Sequence, residues 1–383
     1  MNHTDDASFR DELRSWLTEH PPPGIGIAAT PEEAEVLRGW QRALHSGRWV
    51  GIHWPVAYGG RGASASQGAI FNQELALARA PEIPGRAGVA LVGPTLVGHG
   101  TDEQRARWMG RILSGDDIWC QLFSEPGAGS DLTALSTRAH RSGEVYVVTG
   151  QKVWSSYATF ADWGIALVRT DPGAPRNKGI SMLAIDMNAN GVDVRPLRQI
   201  TGESEFNEVF LDEVEVPVGN LIGAENDGWR VASTTLANER GASFIWKEQV
   251  RHQVAIDLLW KACAGSGQLG DPIVRQRLAR CWIDVEIFRL HNARILARVA
   301  RGEEIGPESS LVKLFWAGTS QRLYETACDV LGPETLLNDD AWGRGLLSTR
   351  ANSIMGGTSE IQRSIIGERI LGLPREPKGT VAR

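Results

Sequence analysis

Apolar residues recur at steps of three and four through the opening part of the chain. Phe9, Leu13, Trp16 and Leu17 line one side of Asp5 to Glu19, which predicts a first helix, and the run Pro21-Pro-Pro-Gly24 ends it. Pro31 suits a first helical turn, so Pro31 to Ser46 reads as a second helix, with Ser64 to Ala80 and Asp102 to Leu113 as two more. The pattern changes near Asp116. Between Ile118 and Ile222, β-rich runs at Glu144 to Thr149, Gly164 to Thr170, Ile180 to Met187, Val192 to Leu197 and Val209 to Val216 are parted by Gly, Pro, Asn and Asp. Such spacing predicts antiparallel strands in a small barrel or sandwich, not a parallel sheet with helical crossovers. Beyond Asn226, long amphipathic segments return: Trp229 to Trp246, Glu248 to Gly265, Pro272 to Arg301 and Pro307 to Leu331 read as a four-helix bundle. A last helix, Ser359 to Leu371, is stopped by Gly372 and Pro374. The expected fold class is α+β and multidomain, with a helical domain over 1–117, a β domain over 118–225 and a helical bundle over 226–383.

Composition narrows the function classes. The formal net charge is −6 and no basic block interrupts the 383 residues, which argues against a nucleic-acid partner. No run nears the roughly 18 apolar residues of a membrane span, and the polar start lacks the apolar stretch of a secretion signal. The expectation is a cytoplasmic protein. Cys120, Cys263, Cys281 and Cys328 are far apart and form no CxxC, and the eight histidines show no ligand spacing, so neither a disulfide framework nor a metal site is expected. The 14 tryptophans read as packing and pocket walls.

Four segments carry candidate chemistry. Trp229, Ala232, Leu236 and Glu239 share one helical face, and a carboxylate on an apolar face is desolvated; it is either a general base with a raised pKa or a structural charge paired with Arg240 or Lys247. Gln121-Leu-Phe-Ser-Glu-Pro-Gly-Ala-Gly-Ser-Asp131 leaves a strand-like run at Pro126, and its glycines and serines suit either a heterocycle or phosphate cradle or an ordinary turn. It lacks the lysine of a P-loop. Gly150-Gln-Lys-Val-Trp-Ser-Ser156 sets an indole beside two hydroxyls at a strand end, fit to cover a flat ligand or simply to half-bury an aromatic. Ile354-Met-Gly-Gly-Thr-Ser-Glu-Ile-Gln-Arg363 opens a helix whose N-terminus suits an anion or an ordinary cap. Gly59-Gly-Arg-Gly62 lacks both the third glycine and the βαβ setting of a dinucleotide site.

Five segments, taken in order, resemble the acyl-CoA dehydrogenase family over nearly the whole chain. They are Trp54-Pro-Val-Ala-Tyr-Gly-Gly60, Ser124-Glu-Pro-Gly-Ala-Gly-Ser-Asp131, Gly150-Gln-Lys-Val-Trp154, Glu205-Phe-Asn-Glu-Val-Phe210 and Gly356-Gly-Thr-Ser-Glu-Ile-Gln-Arg363. The resemblance implies that family's fold, FAD as cofactor, an acyl-CoA substrate and electron-transfer flavoprotein as acceptor. It implies that the backbone about Gln121 and Phe123 and the Ser124 hydroxyl meet the flavin edge, that Trp154 covers the ring with Ser156 bonding nearby, and that Thr358 and Glu360 touch the FAD. Ser130 and Arg240 match positions that contact the CoA moiety.

The reaction implied is α,β-desaturation, a carboxylate taking the α-proton while the β-hydrogen leaves as hydride to the flavin. Many members carry the base as a glutamate directly before the Gly-Thr of the last motif, where this chain has Gly356. Isovaleryl-type and some long-chain members carry it on the first bundle helix before an arginine, which Glu239-Arg240 matches. Gly356 also removes a side chain from one pocket wall, which implies a bulky or branched acyl group. The family's Arg-x-x-Phe-Gly is absent around Ala264 to Pro272, and Gln-x-x-Gly-Gly is altered to Asp329-Val-Leu-Gly-Pro333. Similar changes occur in actinobacterial members with mixed α2β2 assemblies, including ones acting on steroid side chains. The resemblance thus implies a homo-oligomer or an α2β2 heterotetramer with a paralogous subunit. Two other readings stay open: an assembly subunit of a heteromeric dehydrogenase, and a flavin oxidase or monooxygenase on the same scaffold.

Overall fold

The computed structural model describes residues 3–239, 242–303, 305–337 and 340–375, with the side chains of 3–4, 237–239 and 242–245 left aside. It divides into two compact units, the first ending at Glu239.

The first unit opens with α1 (His3–Glu19), α2 (Pro31–Ser46) and α3 (Ala65–Leu77). Sequence fixes the starts of α2 and α3 through reciprocal caps: Thr30 with Glu33, and Ser64 with Gln67. The segment predicted to run to Ala80 stops at Leu77, because Arg79 takes a left-handed φ of 55°. A π-helical turn, Gly88–Val92, leads into α4 (Gly93–His99), and α5 (Asp102–Ser114) follows under a Thr101–Gln104 capping box. The glycine-spaced run 88–99 hid both of these elements from periodicity.

Eight strands follow: β1 (Trp119–Leu122), β2 (Arg138–Ser142), β3 (Val145–Ser156), β4 (Trp163–Arg169), β5 (Ile180–Asp186), β6 (Val192–Pro196), β7 (Phe206–Pro217) and β8 (Leu221–Ile222). They form one sheet in the order β6-β7-β3-β2-β4-β5-β8, with β1 beside β4. Most pairs are antiparallel as expected, but β1 runs parallel to β4, from Trp119 opposite Trp163 to Leu122 opposite Ala166. Side-chain alternation builds two cores. Ala166, Val168, Leu183 and Ile185 meet Val148, Val209 and Val214 inside the curled sheet, while Ile165, Leu167, Met182 and Ala184 face the helices. Burying each Val, Leu, Ile or Met among them stabilises by about 1.5–3 kcal/mol. Trp108 stands edge-on to Trp119 and Trp163, and the Arg107 guanidinium lies 4.8 Å from the Trp163 ring. Last comes α6 (Gly228–Glu239), which packs on β5, α4 and the π-helical turn.

In the second unit α7 (Ala242–Gly265), α8 (Pro272–Val299) and α9 (Glu308–Leu331) pack on one another around Ile256, Leu259, Leu278, Val285 and Leu323. The helical break predicted near Lys247 is not found, since α7 runs unbroken through Trp246, Lys247 and Glu248, good or neutral helix formers. The His252 ring meets the Ser320 hydroxyl at 2.7 Å, tying α7 to α9. Buried Asp284 pairs with Arg322 at 2.7 Å and Arg280 at 3.3 Å. Two short helices, α10 (Glu334–Leu337) and α11 (Ala341–Ser348), precede α12 (Ser359–Arg369), which lies along α9. All four cysteines are buried free thiols, and no described helix is long and apolar enough to cross a membrane.

Candidate active site

The segment from Gln121 to Asp131 leaves β1 as an extended strand and turns back at once. Glu125 and Ala128 exchange backbone hydrogen bonds of 3.0 Å in both directions, closing a tight loop over Pro126 and Gly127. Gln121 pairs with Ile165 on β4, Phe123 packs into the helix-facing core, Ser124 is half-buried and Ser130 is exposed. Asp131, next to Ser130, pairs with Arg176 at 2.7 Å.

The loop is tied to β3. The Val153 N–H donates to the Ser124 carbonyl at 2.9 Å. Below this bond lies an ion pair that motif reading passed over. Lys152, with no exposure, donates to the Glu125 carboxylate at 2.8 Å, to the Leu167 carbonyl at 2.7 Å and to the Phe123 carbonyl at 3.2 Å. Glu125 also accepts from the Ser136 N–H, the Ser136 hydroxyl and the Thr137 N–H at 2.6–2.9 Å. Burial alone would raise this carboxyl, but the Lys152 charge and these donors hold it at about 2. Burial pushes the Lys152 ammonium down to about 8 against the pull of Glu125. A signal for the pair existed: counting by twos from buried Tyr146 and Val148 reaches Lys152, and an inward-facing cation needs an acid.

Two residues beyond Lys152, the β3–β7 register slips, and Ser155 resumes pairing opposite Asn207. Trp154 sits in this bulge with a left-handed φ of 62°, its indole 60% exposed and edge-on to Phe206. Ser156 is half-buried and pairs with Phe206. Asn207 donates to the Ser155 carbonyl at 3.0 Å and pins the far side of the bulge. Glu205, whose carbonyl accepts from the Tyr157 N–H, is pushed above the usual carboxylate range by burial, with Arg86 opposing.

Helix α6 ends the first unit at Glu239. Its start presses on β5: a Cβ at Gly228 would lie 2.5 Å from the Ser181 backbone. Ala232 is fully buried, and Trp229 and Leu236 pack against the first core, as the helical face required. Thr235 meets Thr95 at 2.8 Å across α4, and Thr234 meets the His99 ring at 2.9 Å. Arg230 donates to the other His99 nitrogen, and burial together with Arg230 lowers the His99 pKa. The Glu239 side chain and the whole of Arg240 lie outside the described residues.

In the second unit, Gly356 and Gly357 take φ of 63° and 93° and turn the chain into α12. Buried Lys313 donates to the Gly357 and Asn352 carbonyls at 2.6 and 3.0 Å, and Gln362 donates to the Gly356 and Gly357 carbonyls. Half-buried Thr358 caps α12 by accepting from the Ile361 N–H at 3.3 Å; Glu360 is exposed beside Arg363. Its carboxyl is held down by backbone donors and Thr358. A Cβ at Gly356 would meet nothing within 4 Å.

Family models described as the acyl-CoA dehydrogenase N-terminal, middle and C-terminal domains match residues 3–116, 120–214 and 226–371. The chain is 39% identical to the acyl-CoA dehydrogenase IpdE1 of Mycobacterium tuberculosis strain H37Rv, over 98% of this chain and all of that one. The chain belongs to the acyl-CoA dehydrogenase family. Acyl-CoA dehydrogenases are FAD-dependent flavoproteins and oxidoreductases acting on CH–CH bonds, and the helical, β and helical layers of this chain are their three-domain architecture. Acyl-CoA dehydrogenase FadE34 of the same organism is 42% identical over 96% of this chain and 49% of its own length. Among solved structures, the Tcur3481-Tcur3483 steroid ACAD superposes with a TM-score of 0.88 at 30% identity, covering 97% of this chain and 98% of that one. The ChsE4-ChsE5 complex from Mycobacterium tuberculosis gives 0.84 at 31% identity, covering 97% and 98%.

Proposed function

We propose that this acyl-CoA dehydrogenase desaturates a bulky or branched acyl-CoA thioester with Glu239 as its base, and passes the electrons to electron-transfer flavoprotein. The observation that carries the reading is the pair of positions 239 and 356. The last motif presents a bare glycine turn where many members carry a carboxylate, whereas α6, anchored through Gly228, Thr234 and Thr235, ends on a glutamate. Steroid-acting and two-component relatives among the similar structures favour a large substrate.

The residues present fit a flat cofactor in the first unit. A 60% exposed indole held in a left-handed bulge, and a serine loop hydrogen-bonded to the same strand, offer a ring face and an edge. Trp154 would cover the ring, Ser124, Ser156 and the backbone at Gln121 and Phe123 would meet its edge, and Thr358 and Glu360 would contact other parts of FAD. When bound, FAD supplies the hydride acceptor. Glu239 takes the α-proton, its carboxylate becoming a carboxylic acid as the α C–H bond breaks. Ser130 and Arg240 hold the CoA portion, and the bare turn at Gly356 leaves room for the acyl group.

An α2β2 assembly with a paralogous chain suits the second unit, whose α7–α8 face exposes Trp260 and Trp282 around a groove of about 280 Å³. The domain limits 1–117, 118–225 and 226–383 are proposed with it. Anaerobic titration of the flavin absorption with a panel of straight-chain, branched and steroid CoA thioesters tests the proposal. Bleaching by branched or steroid thioesters is expected, and a clear preference for butyryl-CoA would overturn it.

A further inference from the structure

The buried Lys152–Glu125 pair has no part in the chemistry, yet it lies where the two proposed flavin-facing segments meet. All three ammonium protons are used, on three different segments: Phe123 before the loop, Glu125 within it, and Leu167 on β4. Lys152 itself is the last residue of β3 in regular register before the bulge that carries Trp154. The Val153 N–H bond to Ser124 lies between these points. One cation thus fixes both the loop that offers Ser124 and the strand that offers the indole. Glu125, through its bonds to 136 and 137, anchors the cation and the return of the loop. A hydrophobic pair could fill the same volume, but it could not hold three carbonyl and carboxylate oxygens at hydrogen-bond distance.

We propose that Lys152 is a positioning residue that sets the spacing between the Ser124 loop and Trp154, and hence how tightly the flavin ring is held. The inference rests on the reading that these segments face FAD. The holoenzyme with Lys152→Met is compared with Trp154→Phe and with Glu74→Gln, which weakens a buried ion pair to Arg10 and Arg14 between α1 and α3. Lys152→Met is expected to weaken FAD retention at least tenfold and to shift the visible flavin spectrum, with faster amide exchange at Ala128 and Val153. Glu74→Gln is expected to lower stability while leaving spectrum and FAD retention unchanged. Equal loss of FAD in Lys152→Met and Glu74→Gln would reduce Lys152 to general stability and overturn the proposal. A spectral shift in Trp154→Phe without one in Lys152→Met overturns the proposal alone; no shift in either overturns the underlying reading as well. Should Lys152→Met fail to fold, Glu125→Gln keeps an acceptor for Lys152 and carries the same test, with a two- to fivefold loss of FAD retention expected and an unchanged affinity overturning the proposal.

Discussion

Trp154 offers a test in which sign matters more than size. A bulky side chain at φ of 62° lies in a region where L-residues are strained by about 1–2 kcal/mol, whereas glycine is not. Trp154→Ala and Trp154→Gly both delete the indole and its edge contact with Phe206, so those losses cancel between them. In an ordinary strand the glycine variant would be the weaker by about 0.5–1 kcal/mol, because glycine loses more backbone freedom on folding. In this bulge the left-handed term opposes that loss, and the glycine variant is expected to be the more stable by about 0.5–1 kcal/mol. Urea titrations of the FAD-free proteins, fitted with a common slope, resolve such a difference in midpoint. An alanine variant as stable as the glycine variant or better would show that the backbone at 154 is not strained, and would refute the argument that the bulge holds the indole against a conformational cost. If the order is inverted as expected, the cost is of the kind retained at ligand sites.

Other outcomes follow from the same geometry. Glu239→Gln is expected to keep the flavin spectrum and lose a factor of about 10²–10⁴ in turnover with the preferred thioester; a rate within tenfold of the parent removes Glu239 as the base. Gly228→Ala drives a methyl to 2.5 Å from the Ser181 backbone, which cannot yield as a side-chain tip would, so about 1–3 kcal/mol of stability should be lost in denaturant titration. An unchanged midpoint would show that α6 does not press on β5. The Glu125 carboxyl, held at about 2 rather than 4.5, contributes stability that is present above pH 4.5 and lost as pH falls toward 2, about 3 kcal/mol in full. Urea midpoints across pH 3 to 6 should therefore converge between the parent and Glu125→Gln as pH falls, and parallel curves would exclude this linkage.

The elements most readily read from the chain were those whose pattern is local. Thr30 to Glu33 and Ser64 to Gln67 announce helices because a cap is decided within four residues. Strand β2, Arg138 to Ser142, carries no sequence signal because all but Ala139 of its side chains are exposed, leaving no alternation of apolar residues to count. The sequence pattern of β3 ends at Thr149, since Gly150 and the polar residues after it resemble a strand end, while the ladder with β7 continues through two register shifts. The candidate loop and indole stood out as motifs. What joins them did not, because Lys152 and Glu125 meet across 27 positions and only the fold brings them together. The parallel pairing of β1 with β4 is likewise a property of topology.

The first unit is a single uninterrupted stretch of chain that closes on Glu239, with α6 completing the packing against β5 and α4. During synthesis it can therefore assemble once that residue has emerged from the ribosome, before the second unit is complete, since domains generally fold as units from the N-terminal side. The proposed flavin loop, its indole and the helix bearing the base would then exist as a nascent body while the bundle helices are still being translated.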